Sequence, residues 1–124
     1  FNLIEVAPAT RSKNKNLEQL KKIEEEKING VIASGNLIIA LDEKGKTISS
    51  HSLSVQLQIW MDSQQHISIL IGGADGLSSS IKNKADQIWS LSEMTLPHGL
   101  VRIIMIEQLY RAWSIINCHP YHRK

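Results

Sequence analysis

"HISILIGGADGLSSSIKNKADQIWSLS", residues 66–92, decides the fold class. It begins with a continuous apolar run, 66–73, that ends in glycines. A polar stretch with a serine at the N-cap position predicts a helix over 78–87. A second apolar run, 88–92, follows. Continuous rather than alternating apolar runs indicate strands buried on both faces, as in a parallel sheet with helices packed on each side. Strand, helix and strand in this order form a crossover unit.

Working outward, the same grammar repeats. "NLIIALD" (36–42) reads as another buried strand and "EKGK" (43–46) as a turn. Residues 52–63 read as a helix with Leu53, Leu57, Trp60 and Met61 inward. Residues 16–29 read as a helix carrying Leu17, Leu20, Ile23 and Ile28, supported by the i,i+4 pairs Lys21–Glu25 and Lys22–Glu26 and ended by Gly30. "FNLIEV" (1–6) reads as a short strand before Pro8, followed by a polar loop. The loop "EMTLPHG" (93–99) leads into a helix over 100–116. The expectation is one α/β domain over residues 1–124, with a mostly parallel sheet flanked by helices.

The last helix is the exception to ordinary amphipathicity. Its polar positions Glu107, Gln108, Arg111 and Ser114 occupy one narrow stripe, and the rest is apolar. A helix apolar nearly all round must be buried nearly all round, and a small domain has few places to do that. A subunit interface is expected, the other reading being a core helix of a monomer.

Composition narrows the class of protein. Apolar residues make up 42% and charged residues 21%, the balance of a globular protein. The net charge of +2 does not by itself point to nucleic acid. The charge is unevenly placed: from Pro97 onward Arg102, Arg111, Arg123 and Lys124 face one acid, Glu107, and that basic end suits an anionic partner. Cys118 is the only cysteine, so no internal disulfide forms, which fits a reducing compartment. No signal peptide and no apolar run long enough to span a bilayer is present in the sequence.

Three stretches can carry chemistry. "LIGGADGL" (70–77) is a glycine-rich turn at the carboxyl end of a strand, where open α/β sheets bind ligands. It matches neither the dinucleotide fingerprint nor the P-loop, so a plain strand-to-helix turn is the competing reading. "LSEMTLPHGL" (91–100) also follows a strand and suits an apolar pocket with backbone polar groups, fit for a nucleobase-containing cofactor. Its His98 is either structural or chemical. The tail "NCHPYHRK" (117–124) offers Tyr121 and His122 for stacking, His122 for proton exchange, and Arg123 and Lys124 for phosphate. Cys118, His119 and His122 supply only three metal ligands at a spacing that fits no zinc pattern, so no metal is expected; a small metal-dependent hydrolase is the reading that would need one.

Taken together, "ILIGGADGL" (69–77), "SLSEMTLPHGLVR" (90–102), "EQLYRAWSI" (107–115) and the terminal "HPYHRK" (119–124) resemble the RlmH family of ribosomal RNA methyltransferases. The likeness extends in pattern over essentially the whole chain. It implies the SPOUT class: a small α/β fold with a C-terminal trefoil knot, a homodimer in the cytoplasm, and S-adenosylmethionine as cofactor. The implied reaction is N3-methylation of a pseudouridine in a hairpin loop of large-subunit rRNA, within the assembled ribosome. A catalytically inactive ribosome-binding homologue is the alternative.

Carried over residue by residue, the resemblance puts the cofactor against Leu41, Gly72, Gly73, Leu91, Ser92, Glu93, Met94, Thr95 and Leu96. It puts the tail, with His119, Tyr121, His122 and Arg123, over a cofactor pocket of the dimer. His98 and His122 are the candidate general bases, and Arg111 and Arg123 the candidate anion stabilisers or phosphate clamps. The resemblance also implies a further strand and helix ahead of Phe1. In the glycine turn, Ala74 and Asp75 stand where members of the family often have Pro and Glu.

Overall fold

A computed structural model describes residues 16–72 and 76–123. The elements run α1 (Leu17–Val31), β1 (Leu37–Thr47), α2 (Ser50–Asp62), β2 (Ile67–Ile71), α3 (Ser79–Lys84), β3 (Gln87–Ser90) and α4 (His98–Ile116). The strand expected at 1–6 lies outside the described residues.

Among the described residues, three strands form a parallel sheet in the order β2-β1-β3. The central strand explains the apolar run that encodes it. Ile38, Ile39, Ala40 and Leu41 are all buried, because helices cover both faces. On one face Ile39, Leu41 and Trp89 pack with Leu53 and Trp60 of α2 and with Met105 and Ala112 of α4. Trp60 and Trp89 stack there with ring centroids 5.8 Å apart. On the other face Ala40 packs with Leu77 and Ile81, with Ile28 of α1 against them. This is a three-layer α/β/α arrangement.

Local chemistry sets the helix ends. Asn16 caps α1 in a capping box: its Oδ1 accepts from the Gln19 N–H at 2.8 Å, and the Gln19 Oε1 accepts from the Asn16 N–H at 3.1 Å. Ser78 caps α3, its Oγ accepting from the Ile81 N–H at 3.2 Å. The helix expected over 78–87 stops at Lys84, because Asp86 and Gln87 already belong to the sheet: the Asp86 N–H donates to the Ile38 carbonyl.

Several expectations are corrected. Gly30 does not end α1, which continues to Val31 and releases at Ile32 in extended backbone. Glu25 accepts from the Ser78 hydroxyl at 3.0 Å, so it ties α1 to the start of α3. Residues 43–46 are not a free turn but part of β1. The ladder with β3 breaks after Leu41 and resumes at Lys46 and Thr47, opposite Trp89 and Ser90. Gly45 makes that return possible: a Cβ there would lie 2.7 Å from the Ile88 carbonyl oxygen. Met61, expected inward, is 48% exposed, since Leu53, Leu57 and Trp60 already fill the side of α2 that meets the core. Strand β2 is half-buried rather than fully buried, because it is the edge of the described sheet.

Candidate active site

Parallel strands share one carboxyl edge, and that geometry gathers the first group of candidate residues. Leu41 pairs with Ile71 on one side and Trp89 on the other. Gly72 follows β2 directly, and Leu91 follows β3. Leu41 itself is buried in the core, within β1 at the point where the ladder with β3 breaks. Gly72 is required by packing: a Cβ would lie 2.5 Å from the Gly76 carbonyl carbon. Gly73 lies outside the described residues.

The loop after β3 is held by its own side chains. The buried Ser90 Oγ donates to the Ser92 carbonyl at 2.7 Å, and the Ser92 Oγ accepts from the Met94 N–H at 2.9 Å. Thr95 Oγ1 donates to Glu43 Oε2 at 3.0 Å, which ties the loop to the returning half of β1. Leu91, Ser92 and Leu96 are half-buried, whereas Glu93, Met94 and Thr95 are exposed. Met94 stands out at 74% exposure. The donor set of this shelf is backbone amides and carbonyls beside apolar side chains, which suits an uncharged ring with a polar edge.

His98 was expected ahead of the last helix. It is instead the first residue of α4, whose N-cap is Pro97 with no side-chain cap. An open depression of about 420 Å³ lies elsewhere, between the end of α2 and the start of β2, lined by Leu57, Trp60 and Ile67. It contains none of the candidate residues.

The second group forms at the other end of α4. The helix closes in a Schellman turn: the His119 N–H donates to the Ser114 carbonyl at 2.8 Å and the Cys118 N–H to the Ile115 carbonyl at 3.3 Å. Cys118 takes the left-handed position, at φ +54°, which is usually glycine's. The reversal folds the tail back onto the helix. The Tyr121 hydroxyl donates to Glu107 Oε1 at 3.1 Å. Its ring meets Tyr110 edge-on at 4.7 Å and lies under the Arg111 guanidinium at 4.8 Å. His122 Nδ1 is 3.2 Å from Arg111 Nη1. His119 packs beside Tyr110 and Trp113.

Glu107 organises this cluster, and the sequence reading gave it no such role. Its Oε1 accepts from Arg111 Nε at 2.9 Å and pairs with Arg111 Nη2 at 2.7 Å. Its Oε2 accepts from Gln108 Nε2 at 2.8 Å. The i,i+4 spacing of Glu107 and Arg111 was the available signal. The Tyr121 hydroxyl is pushed above the ordinary phenol value, first by its hydrogen bond to Glu107, then by loss of solvent and by the Glu107 charge, with Arg111 opposing. Arg123 is exposed beside the cluster.

Between the two groups α4 shows an unexpected polarity. Its polar stripe faces inward: Ser114 is fully buried, and Gln108 accepts from the Ser50 hydroxyl at the start of α2. The face left open is apolar, with Leu100, Ile103, Ile106, Tyr110 and Trp113 exposed at helical spacing. His98 and Arg111 are thirteen residues apart on this helix, about 20 Å at 1.5 Å per residue. One chain therefore does not bring both candidate groups to one atom.

Among the described residues, no helix is long and apolar enough to cross a membrane, and no group of three or more His, Cys, Asp or Glu side chains is placed to hold a metal ion.

A parallel sheet covered by helices, followed by one long helix and a folded-back tail, defines a small α/β protein. Comparison with known proteins gives the class: the family described as "Predicted SPOUT methyltransferase" matches residues 1–122, and the chain belongs to that family of methyl-transferring enzymes. The resemblance read from the motifs is borne out. Among its relatives, the Ribosomal RNA large subunit methyltransferase H of Hahella chejuensis is 47% identical over 124 residues, all of this chain and 80% of the relative. The protein of the same name from Methylobacillus flagellatus is 44% identical over 122 residues, 98% of this chain and 78% of the relative. That from Herminiimonas arsenicoxydans is 46% identical over 123 residues, covering 99% and 79%. Membership of the family implies a methyl donor.

Proposed function

We propose that the chain is a single-domain, cytoplasmic rRNA methyltransferase that acts as a homodimer on the assembled ribosome. Its cofactor is S-adenosylmethionine, and its product is N3-methylpseudouridine in a hairpin loop of the large-subunit rRNA. In this reading the carboxyl-edge loops and α4 belong to a trefoil-knotted region. The relatives' shared name supports the substrate class.

The observation that carries the reading is the separation of two groups by a helix with an open apolar face. Pairing two copies antiparallel through Leu100, Ile103, Ile106, Tyr110 and Trp113 covers that face. It also carries the tail cluster of one copy toward the shelf of the other. A composite site then holds cofactor and nucleotide together.

Gly72, Gly73 and the loop from Leu91 to Leu96 would hold the cofactor, with Leu41 backing the strand end. When bound, S-adenosylmethionine supplies an electrophilic methyl group on sulfur. The half-buried Leu91 and Leu96 would help to exclude water from that region. Arg111 and Arg123, with Tyr121 and His122, bind the target nucleotide and its phosphates and balance charge that develops on the ring. His98 stands at the head of α4, on the shelf side. Much of the acceleration comes from holding the reacting atoms in line.

The test is calorimetric titration with S-adenosylmethionine at known oligomeric state, followed by labelled methyl transfer to intact ribosomes. Binding by the dimer and label at pseudouridine N3 are expected. A folded dimer that binds no S-adenosylmethionine would make the protein a non-catalytic ribosome-binding homologue and reject the reading.

A further inference from the structure

The tail cluster sets a donor of Arg111 against one nitrogen of His122. A guanidinium has only donors. Arg111 directs Nε and Nη2 at Glu107 Oε1, which leaves Nη1 facing His122 Nδ1 at 3.2 Å. Two donors do not bond, so Nδ1 must present its lone pair to Arg111. An imidazole that accepts at Nδ1 carries its hydrogen on Nε2.

We propose that His122 serves the methyl transfer as a neutral hydrogen-bond donor through Nε2–H, not as a general base, and that Glu107 is the positioning residue that imposes this by orienting Arg111. The proposal rests on the function given above and assigns a role within it.

The charged and titratable groups around the ring agree with that role. Arg111 faces Nδ1 from α4. Glu107 reaches the ring only through Arg111, and its two oxygens are engaged by Arg111, Tyr121 and Gln108. Tyr121 and Arg123 adjoin His122 in the chain, and the Tyr121 proton is directed at Glu107. Among the described residues, Glu107 is the one carboxylate in this cluster, and those bonds already engage it. With Nδ1 accepting from Arg111, Nε2 is the ring nitrogen left to carry the hydrogen.

What such a ring offers a uracil-type base is a donor for a carbonyl oxygen next to the imide nitrogen. As the imide proton leaves to solvent, negative charge spreads onto that oxygen, and the Nε2–H bond strengthens. The N–H electron pair becomes the new N–C bond, and the S–C pair remains on sulfur.

The test uses the full chain with 15N-labelled histidine, the His122 signals being assigned by their loss in His122→Gln. Long-range nitrogen–proton spectra at neutral pH are expected to show the Nε2–H tautomer, and Glu107→Ala is expected to give a tautomer mixture. In single-turnover assays on ribosomes, His122→Gln, which keeps a donor, should stay within about tenfold of wild type, while His122→Ala loses about 10²–10³-fold. Glu107→Gln, which keeps the acceptor for Arg111, should recover most of what Glu107→Ala loses. An Nδ1–H tautomer or an imidazolium at neutral pH overturns the proposal. So does a His122→Gln variant as slow as His122→Ala, if the wild-type rate follows a histidine-range ionisation that the variant lacks. The tautomer is read without substrate, so its failure leaves the methyltransferase reading standing. An inert wild type with the Nε2–H tautomer in place rejects that reading instead, and the catalytic role with it.

Discussion

The two ends of α4 are built in opposite ways. At the N-terminal end the helix starts from Pro97 without a side-chain cap, beside a loop that leaves Met94 in solvent. At the C-terminal end a Schellman turn, a two-contact Arg111–Glu107 ion pair and an aromatic cluster lock the tail against the helix. The tail end is packed within one chain, while the loop after β3 is an open surface. Under the proposed function, a site that needs both is assembled by association through the open apolar face between them.

Breaking the association has the largest expected effect. Ile103→Glu with Ile106→Glu places charge on side chains that are 62% and 38% exposed in the single chain, so the fold should survive. Sedimentation should show a monomer with unchanged circular dichroism, and methyl transfer should fall by about 10²-fold or more. A double variant that remains dimeric and active would remove the contrast between the two ends.

The shelf is tested by Gly72→Ala. Its Cβ would press on the Gly76 backbone at 2.5 Å, so the glycine turn must shift. S-adenosylmethionine affinity is expected to drop about tenfold, from an overpacking cost of roughly 1–3 kcal/mol. The tail hydrogen bonds, followed by the His122 nitrogen signals, should not move. Affinity equal to wild type would separate the glycine turn from the cofactor site.

The turn that returns the tail is tested at Cys118. Cys118→Val puts a β-branched residue in the left-handed region and should destabilise by about 1–2 kcal/mol, read as a lower melting temperature. Cys118→Gly should match or exceed wild type, since glycine accepts φ +54° freely. A valine variant as stable as the glycine variant would show that the reversal is not set by this residue.

The smallest effect is in pH. The folded-state Tyr121 value is raised, so its contact with Glu107 contributes below the ordinary phenol value near 10 and is lost as pH rises through the raised value. Phenolate absorbance should show one tyrosine titrating late, and Glu107→Gln should bring it back toward the ordinary range. An unshifted titration would mean that the Tyr121–Glu107 bond does not persist in solution.

The sequence by itself determined the parallel α/β class, because a run such as Ile38–Leu41 has nowhere to go but between two layers of helices. It also determined the serine cap of α3 and the existence of the last helix, since capping and periodicity act within a few residues of chain. The motif-bearing stretches were legible as well, though only their combination pointed to a family. What tertiary structure decided was everything set by distant partners. Residues 43–46 look like a turn locally, and only Trp89 and Ser90 draw them into β1. Met61 sits at a helical spacing that suits the core, and only the placement of α2 leaves it in solvent. Glu107 reads as half of a surface ion pair until the tail arrives. The tail returns because Cys118 takes a left-handed conformation that no propensity assigns to cysteine. Propensity and periodicity report near neighbours in the chain, whereas burial and hydrogen-bond partners are settled by what packing brings together.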